Sequence, residues 1–385
     1  MLKRIFRRAV TASMAVLVFV GVFASLHVQG AELELSAQSA VLMTGDTGTV
    51  LFEKDGNTQL PMASTTKIMT ALLTLEEAER LGDPVMEITQ EMVAVEGSSM
   101  GLQAGNKLSL SNLAAGMLLA SGNDAANAAA IYLAGSLEKF VEGMNCRAGE
   151  IGMENTHFVT PSGLDGESPD GQGHYSTAYD MALLAREALK NEKFRELCSS
   201  ASYAVEFAEP VKQVTYTNHN KLLTQYAGCV GVKTGFTKQA GRCLVSAAEK
   251  EGVLLIAVTL NAPDDWNDHT ALLDYGFSQG DRYLLKGNDV RSQVPVVGST
   301  IESVSVVGRN GSEVTLPRAE IEKIDRQVYL PAFLYAPVKA GDQVGEIRWY
   351  LGGRLLDRVP LIAEEDAPVQ GKAPSFWERL LGNGR

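Results

Sequence analysis

Cysteine is scarce in this chain. There are four in 385 residues, Cys146, Cys198, Cys229 and Cys243, and no two have a CxxC spacing. A disulfide-dense scaffold needs more cysteines in a shorter chain, so that class is excluded. One pair could oxidise in an exported protein, but the spacing does not say which, and the four read mostly as small buried hydrophobes. The histidines are also few, five in all, and none joins a cysteine in a zinc-like cluster. No metal and no cofactor are therefore expected. Positive charge is in deficit, with 34 Lys and Arg against 46 Asp and Glu, a net charge of −12. Nucleic-acid binding needs basic surface, so no nucleic acid is expected as a partner. No Gly-x-Ser-x-Gly elbow surrounds any serine, which argues against a Ser-His-Asp hydrolase even though His157, His174, His219 and His269 are available.

The two ends carry their own signals. Lys3, Arg4, Arg7 and Arg8 precede an apolar run over about residues 9–24, and Val28-Gln29-Gly30 supplies small residues for cleavage. This pattern marks residues 1–30 as a secretory signal peptide, with an uncleaved anchor as the alternative. Its removal takes away four positive charges and moves the formal charge from −12 to −16. The remaining residues exceed one typical domain, so two are expected. At the other end, Phe376, Trp377, Leu380 and Leu381 would share one face of a short helix. That makes the tail a candidate anchor on a membrane surface, too short to span a bilayer. The alternative is a frayed tail with a few aromatics. The location expected is the extracytoplasmic face of the cell membrane, as a peripheral protein.

Between the ends, residues 40–53 read as a hairpin around Thr44-Gly-Asp-Thr-Gly48. A loop enters a helix near Ser64, and Gly82-Asp83-Pro84 stops it. Ser111 is a plausible cap for a helix through Leu119, and a second helix begins after the polar corner at residues 120–124. Residues 155–176 are loop-rich, a length that is often functional. A helix over 177–190 and strands over 204–207 and 211–217 follow. Strands over 228–237, 243–248 and 253–260 read as an antiparallel meander, and a final helix covers 266–277. Past about residue 280 short alternating runs separated by Gly, Pro and Asp predict a small all-β module. Residues 360–374 look like a linker. The expected domains are 31–280, 281–366 as a β-sandwich-like module, and 367–385 as linker and tail.

Three short motifs carry the chemistry. Ser64 and Lys67 are three apart, so on a helix they share a face. A serine hydroxyl is a poor nucleophile until a neighbour takes its proton. A lysine can do so only where its surroundings keep it neutral. The plain alternative is that Ser64 caps the helix and Lys67 is solvated. Ser121 and Asn123 sit at the corner between two predicted helices, where they could equally be turn and capping residues. Lys233, Thr234 and Gly235 lie near the end of a predicted strand, and a strand glycine often admits a close ligand or backbone.

Together, in this order and in these contexts, the motifs form a set known from penicillin-binding proteins and class A β-lactamases. The chain resembles the D-alanyl-D-alanine carboxypeptidases, the low-molecular-mass penicillin-binding proteins, over about residues 40–381. The similarity extends to Thr160-Pro-Ser-Gly-Leu-Asp165, Asn218-His-Asn-Lys-Leu-Leu223, Gly231-Val-Lys-Thr-Gly-Phe-Thr237 and the later residues 336–345. It leans toward the sporulation-type firmicute members. The resemblance implies an α/β (α+β) β-lactamase-like transpeptidase fold, an antiparallel sheet with helices on both faces, plus a C-terminal all-β domain. It implies a peptidoglycan stem pentapeptide ending in D-Ala-D-Ala as substrate and β-lactams as inhibitors. By the family pattern Ser64 is the acyl-ester nucleophile and Lys67 the general base. Ser121 relays a proton, and Asn123 orients Lys67 and the substrate amide. Lys233 and Thr234 hold the terminal carboxylate, Gly235 keeps the strand edge open, and the N–H groups of Ser64 and Phe236 form the oxyanion hole. His219 departs from the arginine that some relatives carry between the two asparagines. A class A β-lactamase is the competing enzyme reading, but it usually has Ser-Asp-Asn in place of Ser121-Gly122-Asn123 and a deacylating glutamate with no counterpart here at 150–180. A non-catalytic penicillin-binding sensor is the competing non-enzyme reading.

Overall fold

The computed structural model describes residues 33–169 and 171–371, so the leader and the amphipathic tail lie outside the described residues. A hairpin comes first, β1 (Ser39–Thr44) with β2 (Val50–Lys54). A 3-10 turn over Ala63–Thr66 then leads into α1 (Lys67–Leu81). Gly82 ends the helix as expected, with a left-handed φ of 76° and its N–H on the carbonyls of Ala78 and Glu79. The short pair β3 (Val85–Glu87) and β4 (Lys107–Ser109) is followed by α2 (Leu110–Leu119), α3 (Asn123–Ala134) and α4 (Leu137–Ile151). Ser109, not Ser111, caps α2 by accepting the Asn112 N–H. Ser111 lies inside the first turn, where Asp83 takes its N–H at 2.8 Å.

Next come α5 (Ala178–Ala188) and α6 (Glu192–Ser199). The second of these has no counterpart in the sequence-based expectation. Its cap is Asn191, which accepts the Phe194 N–H at 2.9 Å, and Phe194, Leu197 and Cys198 are its buried side. The hairpin β5 (Ser202–Phe207) and β6 (Lys212–Thr217) and the single turn α7 (Leu222–Gln225) precede the meander β7 (Cys229–Thr237), β8 (Gly241–Lys250) and β9 (Val253–Leu260). The helix α8 (Asp265–Gln279) completes the set. The central sheet is antiparallel in the order β2-β1-β9-β8-β7, which leaves β7 at an edge.

Alternate residues of these strands serve two cores, so the sheet has helices on both faces. Val41, Met43, Ile256 and Val258 join Ile68, Met69, Leu72 and Leu75 of α1 in the large core. Full burial of each such side chain contributes roughly 1.5–3 kcal/mol. Leu42 and Leu255 face the other way, against α8, where a Cβ on Gly276 would sit 2.7 and 2.6 Å from them. Glycine at 276 is what lets the helix lie this close. Of the cysteines, Cys198 and Cys243 are buried, Cys229 is partly buried and Cys146 is exposed. Cys146 departs from the expected burial because the core side of α4 is Phe140, Met144 and Ala148.

The C-terminal module comprises β10 (Gly280–Leu284), β11 (Arg291–Val297), β12 (Ser303–Val307), β13 (Glu313–Pro317), β14 (Asp325–Tyr329), β15 (Leu334–Tyr335), β16 (Gln343–Leu351) and β17 (Arg354–Ala363). A six-stranded sheet in the order β14-β16-β17-β12-β11-β15 packs with the β10-β13 pair. Its two cores centre on Val294, Val304 and Val306 and on Leu316, Ile347 and Trp349. The strip expected to be a linker is structured over its described part. Residues 360–363 belong to β17, Ala367 is buried, and the acids serve backbone N–H groups, Glu365 that of Ser305 and Asp366 that of Ala340. The two halves join where Asp46 accepts the Thr315 N–H at 2.6 Å and Arg354 donates to the Thr47 carbonyl at 2.6 Å.

Candidate active site

The turn before α1 is locked by its own threonines. Thr65 Oγ1 donates to the Met62 carbonyl at 2.6 Å and Thr66 Oγ1 to that of Ala63 at 2.8 Å. Ser64 is therefore held between them and does not cap α1, whose N-cap position is Thr66. Its half-buried side chain lines a cleft of about 350 Å³ together with Ser121, Thr234, Gly235 and Phe236.

Lys67 lies one turn on and is fully buried. Its Nζ is 3.0 Å from Ser64 Oγ, 2.7 Å from Asn123 Oδ1 and 2.5 Å from the Ser162 carbonyl. Burial pushes its pKa well below the ordinary lysine value, and the nearby Lys233 pushes the same way, against a smaller opposing effect of Asp124. The orientation of the Asn123 amide follows from its other end, where Nδ2 donates to the Glu96 carbonyl at 2.6 Å. Asp124 fastens the start of α3 by accepting the N–H groups of Met100 and Leu102 at 2.9 and 3.0 Å.

Ser121 occupies the corner before α3 with a positive φ of 57°, a conformation rare for a side-chain-bearing residue. Its Oγ lies 3.1 Å from Lys233 Nζ, which also donates to the Thr234 carbonyl at 2.8 Å. Lys233 is itself buried, and burial lowers its pKa to about 7. The family pattern led one to expect this lysine beside a bound carboxylate. Its amine lies behind Ser121, and both Ser121 and Thr234 line the cleft. Gly235 faces the Ser64 turn so closely that a Cβ there would lie 3.0 Å from the Thr65 nitrogen and 3.1 Å from that of Ser64. Phe236 follows on the exposed edge of β7.

All eight residues expected from sequence thus converge. Others were missed. The Ser162 carbonyl belongs to a loop whose length and family resemblance drew notice, but no atom of it was singled out. Arg242, Asp265 and Trp266 form one wall of the cleft, with Arg242 bonded to Asp265 at 2.8 Å and stacked over Trp266. Their signal in the sequence is slight, since the ion pair spans two elements. His219 also lines the cleft. The ring nitrogens of His174 meet Thr66 and Val159, and those of His269 meet Ser246 and Thr259, so neither is directed at Ser64.

Comparison with known proteins places the chain in a family. Residues 26–264 match the D-alanyl-D-alanine carboxypeptidase family, and residues 281–368 match the C-terminal domain of penicillin-binding protein 5. The chain belongs to the D-alanyl-D-alanine carboxypeptidase family. The carboxypeptidase DacF of Bacillus subtilis is 35% identical over 369 residues, covering 91% of each chain. The solved carboxypeptidase DacD of Francisella tularensis is 28% identical with a TM-score of 0.62, over 88% of this chain and 95% of that one. Penicillin-binding protein 5 of Haemophilus influenzae is 26% identical with a TM-score of 0.68, over 87% of this chain and 98% of that one. As a carboxypeptidase of this family the chain is a serine-type enzyme of cell-wall metabolism. The family acts on peptidoglycan ending in D-Ala-D-Ala, binds penicillin, and works outside the cytoplasm.

Proposed function

We propose that Ser64 is the nucleophile that removes the terminal D-alanine, with Lys67 as its base. The observation that carries this is the set of partners around Lys67. A neutral amine has two N–H groups and one lone pair. Asn123 Oδ1 and the Ser162 carbonyl can only accept, so they take the two N–H groups. The lone pair then faces the Ser64 hydroxyl at 3.0 Å. In acylation the Ser64 oxygen bonds to the carbonyl carbon between the two D-alanines while its proton passes to Lys67. The carbon–nitrogen bond breaks as a proton reaches the leaving amine, by way of Ser121. Water then attacks the ester and returns the enzyme. The N–H groups of Ser64 and Phe236 hold the oxyanion, and aimed donors of this kind are worth roughly 3 kcal/mol each. Thr234, with the positive end of Lys233 behind it, receives the substrate carboxylate. Gly235 leaves room for the peptide along the edge of β7. A β-lactam presents a similar acyl and carboxylate pair, so it acylates the same serine.

The test is mass spectrometry of the protein after penicillin, with peptide mapping of the adduct. The adduct is expected on the peptide holding Ser64, and Ser64→Ala should abolish both it and D-alanine release. A Ser64→Ala protein that still forms the adduct would overturn the assignment.

The same reading extends to the chain's organisation. Residues 1–30 export the protein, 31–280 carry the catalysis, and 281–366 form the β-domain. The segment 367–385 is the linker and amphipathic tail, which rests on the extracytoplasmic face of the cell membrane. Among the described residues no helix is long and apolar enough to cross a membrane.

A further inference from the structure

Apolar side chains crowd the end of the β-domain that lies furthest from the catalytic domain. β16 and β17 form a long hairpin, and its turn end touches the catalytic domain through Arg354. The nine residues of β16, at about 3.3 Å each, set the other end roughly 25–30 Å away. There the Gly341 N–H bonds the Ala363 carbonyl at 2.8 Å and Val338 pairs with Ala367. Val338, Ala363 and Ala367 are buried in the small valine core. Beside exposed polar residues such as Lys339 and Asp342, several exposed side chains here are apolar. Val297 is 50% exposed, Phe333 45%, Tyr335 71% and Val369 57%. Val297 stands opposite Tyr335 in the parallel ladder of β11 and β15. The rings of Phe333 and Tyr335 meet edge-on at 5.3 Å. Val369 lies in the strip that bridges to Ser299, two residues beyond Val297.

Three features say what covers this patch. Val369 is two residues from Gly371, where the described structure ends, so the patch is at the root of the segment bearing Phe376, Trp377, Leu380 and Leu381. It is at the opposite end of the domain from the catalytic domain. It also combines aliphatic side chains with a tyrosine, the mixture that settles at a lipid–water boundary. The acids of the neighbouring strip are tied into the domain. Glu364 pairs with Arg291, and Glu365 and Asp366 accept backbone N–H groups.

We propose that Val297, Phe333, Tyr335 and Val369 form a second lipid-contacting surface, so that the protein stands on the membrane through its β-domain as well as its tail. This rests on the reading that the enzyme works at a membrane. The test is sedimentation of the mature full chain with vesicles of phosphatidylethanolamine and phosphatidylglycerol. Substituting Val297→Ser, Phe333→Ser and Tyr335→Ser together should weaken binding about tenfold or more, the scale expected for this loss of apolar area. D-alanine release from a soluble peptide should not change, and a circular dichroism spectrum and melting temperature like the parent's should report that the β-domain still folds. A chain ending at Gly371 should keep weak vesicle binding that the triple substitution removes. A conservative Tyr335→Trp chain should show extra fluorescence quenched by brominated lipid. If truncation abolishes binding and the triple variant binds like the parent, the patch proposal fails and the tail stands. If the triple variant alone loses binding, the patch stands and the tail reading fails. No binding by the intact chain overturns both. A triple variant that breaks up a dimer without altering vesicle binding makes the patch a subunit contact and overturns the proposal.

Discussion

The Ser162 carbonyl oxygen lies 2.5 Å from Lys67 Nζ, nearer than either side-chain oxygen that the amine touches. If Lys67 is the base, as proposed, a main-chain acceptor helps to set it, and the loop bearing that acceptor has to stay pressed against the Ser64 turn. Gly163 allows that. Its φ is +82°, and a Cβ there would lie 2.1 Å from the Ala63 carbonyl oxygen and 2.8 Å from Thr66 Oγ1. Gly163→Ala should therefore push the loop off the turn and misplace both Lys67 and Ser64. The expected result is a fall in the rate of penicillin acylation of about 100-fold, the order of loss when a general base is displaced. Circular dichroism should still show a folded protein, with a lower melting temperature. Acylation at the parent rate would mean that the Ser162 carbonyl is dispensable.

Asn123 offers a sharper probe of the base. Its Oδ1 faces Lys67 and its Nδ2 faces the Glu96 carbonyl. Asn123→Asp keeps the shape, sets an oxygen against that carbonyl, and places a negative charge beside the amine. An opposite charge at hydrogen-bond distance favours the charged lysine. The rising limb of the pH profile for kcat/KM should move to higher pH, with a loss of about 100-fold near neutrality. Asn123→Ala should lose activity without the upward shift. Matching profiles for the two variants would count against Lys67 as the group that titrates.

The elements that position the site were legible because each leaves a local mark. Gly82 stops α1, and the continuous apolar runs at 243–248 and 253–260 mark the meander. Ser64, Ser121 and Lys233 are far apart in sequence, and no periodicity says that they meet. Their convergence was legible only through family resemblance. What escaped was of a different kind. The Ser162 acceptor is a backbone atom, which has no sequence signature. The α2 cap moved from Ser111 to Ser109 because Asp83, 28 residues away, holds the Ser111 N–H. The linker expected at 360–374 proved largely structured since its acids find N–H groups on Ser305 and Ala340, distant partners that composition does not reveal.

Two buried lysines of opposite duty predict the pH dependence. In the proposed mechanism Lys67 must be neutral to take the Ser64 proton, and its pKa is held well below the ordinary lysine value. Lys233, lowered to about 7, is useful to a substrate carboxylate only while charged. Acid protonates Lys67 and removes the base, and alkali neutralises Lys233 and removes the cation. The profile of kcat/KM should be bell-shaped, with its falling limb near neutrality to mildly alkaline pH, the two apparent values belonging to the pair. Lys233→Arg keeps a charge that does not titrate in this range. In that variant residual activity should persist to higher pH. A falling limb that stays in place would assign it to another group.

His269 predicts how the fold responds to acid. It is fully buried between Ser246 Oγ and Thr259 Oγ1 and links α8 to β8 and β9. Burial lowers its pKa from 6.5 to about 3, and His174 is lowered to about 3 for the same reason. As the pH falls below 6.5 the unfolded chain takes up these protons, while the folded chain refuses them until about 3. The stability present above 6.5 is therefore lost progressively through that window, at roughly 1.4 kcal/mol per pH unit for each histidine. His269→Gln keeps an amide that can bond to both hydroxyls and does not titrate. Urea unfolding at pH 7.5 and pH 5 should show the variant less stable than the parent at the higher pH. The variant should also lose less on acidification, by roughly 2 kcal/mol. Equal losses for both proteins would show that His269 is not among the groups that make the fold acid-sensitive.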